Sequence, residues 1–594
     1  MPPTLPPGLQ QSSLKALVVN LVAPAAAVLT VHRVLAALGL DFHLRFGVVV
    51  LLAVLSVPAT FAARVQLNAW SVRRRARRAG AVLPPRWDGK RIGNFDILAH
   101  ALERSQNGYI GEGVWDRIEE LNNLYEIDLV WTPLYFTADV NVIKTLLATG
   151  FEHFEKGPTL RETLDTLLGT GVFNSDGEMW KWHRTMTRPY FSRDRISHFE
   201  IFGRHADFAI KKMQDRFCEG RALDFQALSR FTLDSASEFL FGTNVNSLQT
   251  DLPYAHNDPK VALYAREIFS EAFLGAQNAI VTRLRIGSLW RFNEFFKDAA
   301  AEHMHIIDQF LKPILEAAIK KRNQTKLAGL DASTEEQEDE TLLGNLVKIT
   351  DDPKVLRDET LNILLAGRDT TATTLTFVVY MLCLYPEVLK RLRAEILDHI
   401  GPNAMPTFDD IRTMKYLRAV LNETLRLFPP VPLNIRVANQ DTTVPNPNSN
   451  KPPIFVPKGV GVAYSVLHMH RREDLWGPDA LEFDPDRFLD DRLNKYFTKN
   501  PMIFLPFNAG PRICLGQQFA YNESSFFLIR LLQSFSDMEL DLAAQPPSAF
   551  PPAEWAHCEG QKGREKVRAK AHLTTYVEGG LWVKMSERDL TCNV

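Results

Sequence analysis

The chain has 594 residues, of which 45% are hydrophobic and 23% are charged, a composition typical of a large globular protein. Its formal net charge is −2, so no overall field attracts nucleic acid, and we expect no nucleic-acid partner. Five cysteines are scattered without a CxxC pair or a Cys/His zinc spacing. This pattern argues against a disulfide framework and fits a reducing compartment.

Two apolar segments open the sequence. Residues 16–31 carry no charge but contain Pro24 and a run of alanines, whereas residues 46–63 form a longer uncharged stretch rich in Val and Leu. A membrane-spanning helix needs about 20 mostly apolar residues, with a lower limit of about 17. The second segment therefore qualifies and the first is marginal. Because no convincing cleavage site follows, we expect retained anchors, and whether one or both segments span the membrane stays open.

Basic residues follow the second segment between residues 73 and 78, and Leu83-Pro84-Pro85 comes next. The positive-inside rule places such a cluster, and everything after it, in the cytosol. Because prolines stiffen the backbone, we interpret residues 73–90 as a basic and Pro-rich hinge. The hinge would join an anchor region, residues 1–72, to a single large domain, residues 91–594.

The body after about residue 90 is predicted to be mainly helical. Apolar residues at three- and four-residue spacing indicate helices over residues 192–217 and 293–322, and Pro386 opens another helix that ends at Gly401. Residues 323–341 are acidic and predict a surface loop. Residues 438–460 predict a small sheet, and residues 576–585 predict a hairpin that turns at Glu578-Gly579-Gly580. The expected fold class is therefore mainly α with a smaller β region (α+β).

The strongest functional signal surrounds one cysteine, in the segment Phe507-Asn508-Ala509-Gly510-Pro511-Arg512-Ile513-Cys514-Leu515-Gly516. Two glycines and a proline make the backbone turn tightly, so that it can approach a flat ligand. A metal-binding thiolate needs stabilisation, which the N–H groups of such a turn and of the next helix supply. Arg512 can pair with a carboxylate. Haem combines an iron that binds thiolate with propionates that bind arginine; the alternative is a Gly-rich turn around a buried cysteine.

This segment matches the pattern FxxGxRxCxG and resembles the haem-binding signature of the cytochrome P450 superfamily, the haem-thiolate monooxygenases. The resemblance implies the cytochrome P450 fold over roughly residues 90–590. It implies Cys514 as the axial ligand of the haem iron. The haem site would be shaped by the other matching residues, Phe507, Gly510, Arg512 and Gly516.

Two further segments resemble the structural core of that family. Glu423 and Arg426 match its ExxR motif, which by itself indicates only a pair on one helix face. Together with Arg487 in Pro485-Asp486-Arg487-Phe488, the pair resembles the family's buried Glu-Arg-Arg network. On that reading, loss of one partner leaves an unpaired buried charge and costs about 3–5 kcal/mol.

An otherwise apolar helix is interrupted by Ala366-Gly367-Arg368-Asp369-Thr370-Thr371, which matches the family motif AGx(D/E)T(T/S). A threonine in a helix can simply bond back to a carbonyl one turn earlier. The resemblance instead implies a local opening of the helix that makes room for dioxygen. Thr370 would then bond the distal oxygen, and Asp369 would relay protons from solvent.

The remaining haem contacts come from two other places in the chain. Trp180 and Arg184 match the family's WxxxR, and Arg436 stands ten residues after Arg426. By resemblance, Trp180, Arg184 and Arg436 meet the haem propionates. His183, inside the WxxxR segment, is expected to pack or to face solvent.

Within the family, the chain looks closest to the fungal group that hydroxylates n-alkanes and fatty acids. The residues that carry this finer resemblance are 168–177, 431–434, Pro511 and 517–520. It implies haem b as cofactor, O2 as co-substrate and a hydrophobic small molecule as substrate. By resemblance the substrate pocket is lined by residues 156–174, 261–289, 363–366, 431–433 and 578–581.

Electrons are expected to come from NADPH through a separate flavoprotein, NADPH-cytochrome P450 reductase, in the same membrane. Its acidic surface would dock on the cysteine side, where Lys181, Arg184 and Arg188 could contribute. The anchor and the resemblance together imply the endoplasmic reticulum membrane, with the large domain facing the cytosol.

Three alternative functions stay open at this point. Within the monooxygenases, the substrate could be a terpenoid, a sterol or a polycyclic aromatic xenobiotic. Outside them, the protein could be a haem-thiolate isomerase or dehydratase, or a non-catalytic haem sensor or carrier. The acid–alcohol pair Asp369 and Thr370 argues against both of these last two functions.

Overall fold

The computed structural model describes residues 6–39, 44–191, 199–263, 268–327 and 341–587. The helices in these ranges are α1 (Gln11–Leu17), α2 (Ala23–Ala37), α3 (Phe46–Arg78), α4 (Phe95–Asn107), α5 (Val140–Lys144), α6 (Pro158–Leu168), α7 (Gly177–Thr187), α8 (Glu200–Cys218), α9 (Ser229–Phe241), α10 (Ile268–Ile286), α11 (Trp290–Asn293), α12 (Ala301–Leu327), α13 (Leu342–Ile349), α14 (Pro353–Leu384), α15 (Pro386–His399), α16 (Phe408–Thr413), α17 (Lys415–Leu427), α18 (Val466–His470), α19 (Glu473–Trp476), α20 (Gln517–Ser534) and α21 (Gly560–Arg564).

The strands form four small sheets at the edges of the helical body. Their bounds are β1 (Leu124–Leu129), β2 (Thr132–Thr137), β3 (Phe154–Glu155), β4 (Leu223–Asp224), β5 (Leu433–Ala438), β6 (Thr442–Val444), β7 (Ile454–Val456), β8 (Gly461–Ser465), β9 (Phe535–Leu540), β10 (Ala569–Ala571), β11 (Thr575–Val577) and β12 (Trp582–Glu587). The largest sheet has the strand order β1-β2-β8-β5-β3, with β2 and β8 parallel. The predicted α+β class is confirmed.

Two helices near the start of the chain are long and apolar enough to cross a membrane, Leu14–Ala37 and Phe46–Arg78. A short π-helical segment, Val18–Val22, joins α1 to α2, and α2 packs against α3. Large apolar side chains on both helices are exposed. The bent pair α14–α15 is also apolar, but α14 is buried within the protein core. The two helices near the start of the chain, Leu14–Ala37 and Phe46–Arg78, are therefore the candidate membrane anchors.

The basic cluster lies in the last turns of α3, because the helix continues without a break to Arg78. Arg75 pairs with Asp441, with 2.6 Å between Nη1 and Oδ1. Ala76 is buried in a small cluster with Phe455 of β7, and Val82 bonds to the same hairpin. The predicted boundary between anchor and hinge therefore falls inside one helix, and the division of the chain into three parts stays a prediction.

The core of the body is organised around α14, whose apolar side chains are almost all buried. Asp352 caps its N-terminus by accepting from the N–H groups of Lys354 and Val355. The helices that pack most closely against it include α9, α17 and α20. Because α20 follows Cys514 directly, this packing fixes the cysteine segment relative to the Ala366–Thr371 segment of α14.

Most sequence predictions of helices agree with the structure. The helix opened by Pro386 and the small sheet formed by β6 and β7 are confirmed. The helix expected over residues 293–322 is instead two helices, α11 and α12. The first helix ends before Glu294, whose carboxylate pairs with the buried Arg283. The helix expected over 192–217 appears as α8, and residues 192–198 lie outside the described ranges. Of the predicted acidic loop, 323–327 belongs to α12 and 328–340 lies outside the described ranges.

The predicted hairpin over residues 576–585 is wrong. Strand β11 pairs with β10, which precedes it, whereas β12 pairs with β4 and β9. The turn at Gly579-Gly580 therefore passes the chain from one sheet to another. Asp224 accepts the N–H of Leu581 at 2.8 Å and leaves no room for a Cβ at Gly580, so a partner far away in sequence shapes this turn.

Candidate active site

Cys514 lies between a 3-10 turn, Gly510–Arg512, and the start of α20. The turn is closed by a 3.0 Å hydrogen bond from the N–H of Cys514 to the carbonyl of Phe507. Gly510 has a φ of +68°, and a Cβ there would overlap the carbonyl oxygen of Leu147. Only glycine fits this position. The close approach to Leu147 also packs the cysteine segment against the end of the helix after α5.

Cys514 is exposed, although many protein atoms surround its thiol. Burial among protein atoms raises its pKa, while the N–H of Gly516 and the charge of Arg184 act in the opposite direction. Arg184 donates a hydrogen bond from Nη1 to the carbonyl of Ile513 at 2.9 Å.

A cluster of charged side chains lies on the same side of the molecule as Cys514. It consists of the cations Lys156, Arg436 and Arg512 and the carboxylate Asp176, and we call it the propionate cluster. Arg512 pairs with Asp176 at 2.7 Å, and Asp176 also accepts the N–H groups of Lys156 and Gly157. Lys156 Nζ lies 3.3 Å from Oδ1 of Asn434, to which Arg436 also donates. Of the three cations, only Arg512 thus forms an ion pair with the carboxylate of Asp176.

The electrostatics of the cluster call for an anion. Burial lowers the pKa of Lys156 well below its usual value, and Arg436 and Arg512 lower it further. Burial and Arg436 lower the pKa of Arg512 to about 10. The Nε atoms of Arg436 and Arg512 are buried without a hydrogen-bond partner among the described residues. At the rim, Arg161 and Glu155 add one charge of each sign. When bound carboxylates keep Lys156 protonated, the three cations exceed the one carboxylate of Asp176 by two charges, which suits a ligand with two carboxylates.

Trp180 is buried between two of these basic side chains. The guanidinium of Arg512 lies 4.5 Å from the centre of its ring, and that of Arg184 lies 5.9 Å away. Trp180, Arg184, Arg436 and Arg512 were all expected to meet a haem propionate, and the structure brings them together. Lys156 was missed, because it was expected to line a substrate pocket; its contacts with Asn434 and Asp176 place it in the propionate cluster instead. A lone lysine before a glycine gave no signal in the sequence.

Asp369 and Thr370 lie next to each other on α14. Gln277 of α10 donates from Nε2 to Oδ2 of Asp369 at 2.8 Å, and Arg368 lies 3.3 Å from its other oxygen. Thr370 donates from Oγ1 to the carbonyl of Ala366 at 2.7 Å. The predicted local opening of the helix is not present, because α14 is continuous through Ala366–Thr371 and this carbonyl keeps its partners. The lone pairs of the Thr370 hydroxyl remain able to accept a hydrogen bond.

A cavity of about 410 Å³ adjoins Asp369, between α10, α14 and the tip of the β10–β11 hairpin. Its lining includes Gln277, Arg368, Asp369, His572 and Thr574. Residues 578–581 do not line this cavity, because Leu581 is fully buried beside Asp224 and the hairpin tip at 572–574 borders it; their place in the substrate pocket stays a prediction. The cavity borders Asp369 and gives protons a route to this carboxylate.

His183 is fully buried and contacts Glu359 of α14, with 2.9 Å between Nδ1 and Oε2. Glu359 also accepts from the N–H of Val172 and the hydroxyl of Thr187. Glu359 thus connects the Trp180 helix, α7, to α14 and to the loop at Val172. The burial of His183 agrees with the expectation that it packs.

Glu423, Arg426 and Arg487 form a second buried ion-pair group, which we call the core network. Arg426 binds Glu423 through two N–H groups at 2.7 and 2.8 Å, and Arg487 Nε lies 3.5 Å from the same carboxylate. The other N–H groups of Arg426 donate to the carbonyls of His470, Ala480 and Glu482, and those of Arg487 donate to Trp476 and Asp479. Glu423 also accepts the N–H of Asp484. The charged groups of the core network are therefore paired with one another or with nearby groups of the protein.

The fold and the site together define a haem-thiolate protein: a cysteine at the start of a helix, a cation cluster with excess positive charge beside it, and an acid–alcohol pair on the helix that crosses the core. Comparison with known proteins agrees. The family model described as Cytochrome P450 matches residues 93–552.

Similar proteins cover most of the chain. Cytochrome P450 52E1 from Candida apicola is 39% identical over 413 residues, which is 68% of this chain and 76% of the relative. Cytochrome P450 52A10 from Candida maltosa is 41% identical over 431 residues, 71% of this chain and 78% of the relative. Cytochrome P450 52-E3 from Starmerella bombicola is 35% identical over 525 residues, 86% of this chain and 93% of the relative.

The chain belongs to the cytochrome P450 family. It is a haem-thiolate monooxygenase that uses haem b and O2, with electrons from NADPH delivered by a reductase, and it acts on hydrophobic substrates. The alternatives outside the monooxygenases are not favoured by these matches.

Proposed function

We propose that this monooxygenase is anchored in the endoplasmic reticulum membrane and hydroxylates n-alkanes or fatty acids, with Cys514 as the axial ligand of the haem iron. The observation that carries the site assignment is the propionate cluster, in which three basic side chains accompany one carboxylate on the same side of the molecule as the exposed Cys514. Haem needs both features at once.

Six residues would hold haem. Cys514 supplies the thiolate, and Lys156, Arg436 and Arg512 supply charge for the two propionates. Trp180 and Arg184 complete the rim, while Phe507, Gly510 and Gly516 shape the turn. When bound, thiolate-ligated haem activates dioxygen for insertion of one oxygen atom into a substrate.

The protein's own part in the reaction is to deliver protons and to exclude bulk water. Asp369 borders the cavity between α10 and α14 and is held by Gln277, so it can pass protons toward the hydroxyl of Thr370. Replacement of Asp369 with Asn removes the ionisable group but keeps the acceptor for Gln277. We expect turnover with reductase to fall by roughly 10²-fold, while haem absorbance and substrate binding are retained. Unchanged turnover would remove Asp369 from this role.

The substrate class is supported by three observations. The relatives reported above are all named Cytochrome P450 52, followed by a letter and a number. The sequence also resembles the fungal group that hydroxylates n-alkanes and fatty acids. Two apolar helices would hold the protein at a bilayer, from which a hydrophobic substrate can enter. The test is a titration of the purified ferric protein with a medium-chain fatty acid and with an n-alkane, followed in the Soret band. A saturable low-spin to high-spin shift supports the proposal. Intact haem-thiolate absorbance without a shift contradicts the substrate class and leaves the family unaffected.

The proposed electron donor is NADPH-cytochrome P450 reductase in the same membrane, docking on the cysteine side. Lys181 and Arg188 are exposed on or next to α7, although Lys181 already pairs with Glu178 at 2.7 Å. Charge reversal at Arg188 is therefore the sharper variant. It should slow reduction in a salt-dependent way, and the double variant Lys181→Glu with Glu178→Lys serves as a control that keeps the local charge. Reduction that is independent of Arg188 would contradict this docking site.

A further inference from the structure

The two apolar helices at the start of the chain meet at a polar contact. Arg64 of α3 donates from Nη1 to Oδ1 of Asn20 at 2.8 Å and from Nη2 to the carbonyl of Val19 at 3.5 Å. Asn20 lies in the π-helical segment that joins α1 to α2. Within the uncharged segments 16–31 and 46–63 the polar side chains are Asn20, Thr30, Ser56 and Thr60, so the contact of Asn20 with Arg64 marks a defined level at one end of the pair.

The position of this contact gives the relative direction of the two helices. Arg64 follows the start of α3 by about 18 residues, and Asn20 precedes the end of α2 by about 17 residues. At a rise of 1.5 Å per residue, both lie about 26 Å from the connection between the helices. Equal distances from one connection require that the helices run antiparallel and in register.

The same distance matches a bilayer. The hydrocarbon core of a membrane is about 30 Å thick, and an arginine is stable at its surface but costly at its centre. Between the connection and the Arg64–Asn20 contact, the pair exposes large apolar side chains such as Leu21, Val31, Leu51 and Val54. The contact therefore belongs at one membrane surface and the connection at the other.

We infer that both helices cross the bilayer as an antiparallel hairpin, so that the segment before α1 lies on the same side as the catalytic domain. With a single span, α3 alone would cross, and that segment would be on the opposite side. The sequence left this choice open because residues 16–31 are only marginally apolar.

A second observation, independent of the register, supports the hairpin. The segment Pro7–Leu9 contacts α11 in the catalytic domain, and Pro7 and Gly8 are buried. A Cβ at Gly8 would overlap the ring of Phe295 just after α11. This contact can form only if the segment before α1 returns to the side of the membrane that holds the domain.

The experiment is protease digestion of sealed microsomes that contain the full-length protein with an epitope fused ahead of Met1 or after Val594. We expect both epitopes to be removed without detergent. An epitope inserted between Leu38 and Leu44 should be protected until detergent is added. Haem-thiolate absorbance of each variant shows that the domain is folded.

A matched variant sharpens the result. Deletion of residues 2–37 leaves α3 as the only span, so an epitope ahead of it should become protected while the one after Val594 stays accessible. Protection of the epitope ahead of Met1 while the epitope after Val594 is removed would overturn the hairpin, and so would removal of the epitope in the connection together with the one after Val594. Protection of the epitopes at both ends, with removal of the one in the connection, would instead contradict the proposed cytosolic orientation and leave the hairpin intact.

Discussion

The core network and the propionate cluster are built from the same kinds of side chain, yet they differ in one respect. In the core network, every guanidinium nitrogen of Arg426 and Arg487 has an acceptor within the protein. In the propionate cluster, Asp176 pairs with Arg512, and the Nε atoms of Arg436 and Arg512 have no partner among the described residues. A closed group holds the fold together, whereas an open group is completed by a ligand.

The largest expected effect breaks the closed group. Arg426→Leu removes both hydrogen bonds from the main partner of the buried Glu423 and leaves it only the longer contact with Arg487, so we expect a loss of about 3–5 kcal/mol in the free energy of unfolding. The measurement is denaturant unfolding of the purified protein, or the yield of folded haem protein when too little is recovered.

A surface pair with the same spacing provides the control. Lys390 and Glu387 lie 2.9 Å apart at i and i+3, and both are exposed. Lys390→Leu should change the free energy of unfolding by less than about 1 kcal/mol. Equal losses for Lys390→Leu and Arg426→Leu would mean that burial does not distinguish the core network.

The next effect concerns the open group. Arg436→Met removes one of three mutually repelling cations, so the stability of the apoprotein should not fall. Haem binding should weaken by roughly 10- to 100-fold, because a charge-assisted hydrogen bond of about 1.5–3 kcal/mol is lost. The rate of haem transfer to a scavenger protein and unfolding of the apoprotein measure the two quantities. A variant that loses apoprotein stability and keeps its haem would place Arg436 in a closed group.

The smallest effect is a pH dependence at Lys156. Burial and the neighbouring arginines lower its pKa in the apoprotein, whereas bound carboxylates raise it. Haem binding therefore takes up a proton at Lys156, and its contribution to affinity falls as the pH rises between these two pKa values, by up to about tenfold per pH unit.

The ratio of the haem affinities of the wild type and Lys156→Met isolates this proton, because the titration of Cys514 is common to both. The ratio should fall as the pH rises. A ratio that is constant with pH would mean that Lys156 does not change its protonation when haem binds.

The sequence predicted the parts of this site that come from short motifs. Cys514, Asp369 and Thr370 were assigned from residues adjacent in the chain, and Glu423 with Arg426 from one helix turn. Lys156 and Asp176 were not, because their partners at positions 434 and 512 are brought close only by β5 and the cysteine segment. The wrong hairpin at Gly579 has the same cause: its strand pairs with residues 223–224 and 535–540, which no local pattern reveals.

The opening of α14 illustrates a different limit. Gly367 and the threonines suggested a break, but Thr370 and Thr374 bond to the carbonyls of Ala366 and Thr370 in an intact helix. The simpler alternative, a hydrogen bond from the threonine hydroxyl to a carbonyl one turn earlier, is therefore the one present. Both conformations use the same residues, so composition alone does not separate them.

Because α3 is continuous from Phe46 to Arg78, it fixes the position of the catalytic domain relative to the membrane segment. The same helix contains the membrane segment and the residues that contact Asp441 and Phe455 of the catalytic domain. Helical geometry therefore sets both the height of the domain above the bilayer plane and its rotation about the helix axis. One residue inserted between Arg64 and Val72 would lift the domain by about 1.5 Å and turn it by about 100°. Contact with a membrane-bound electron donor would then change in angle far more than in distance.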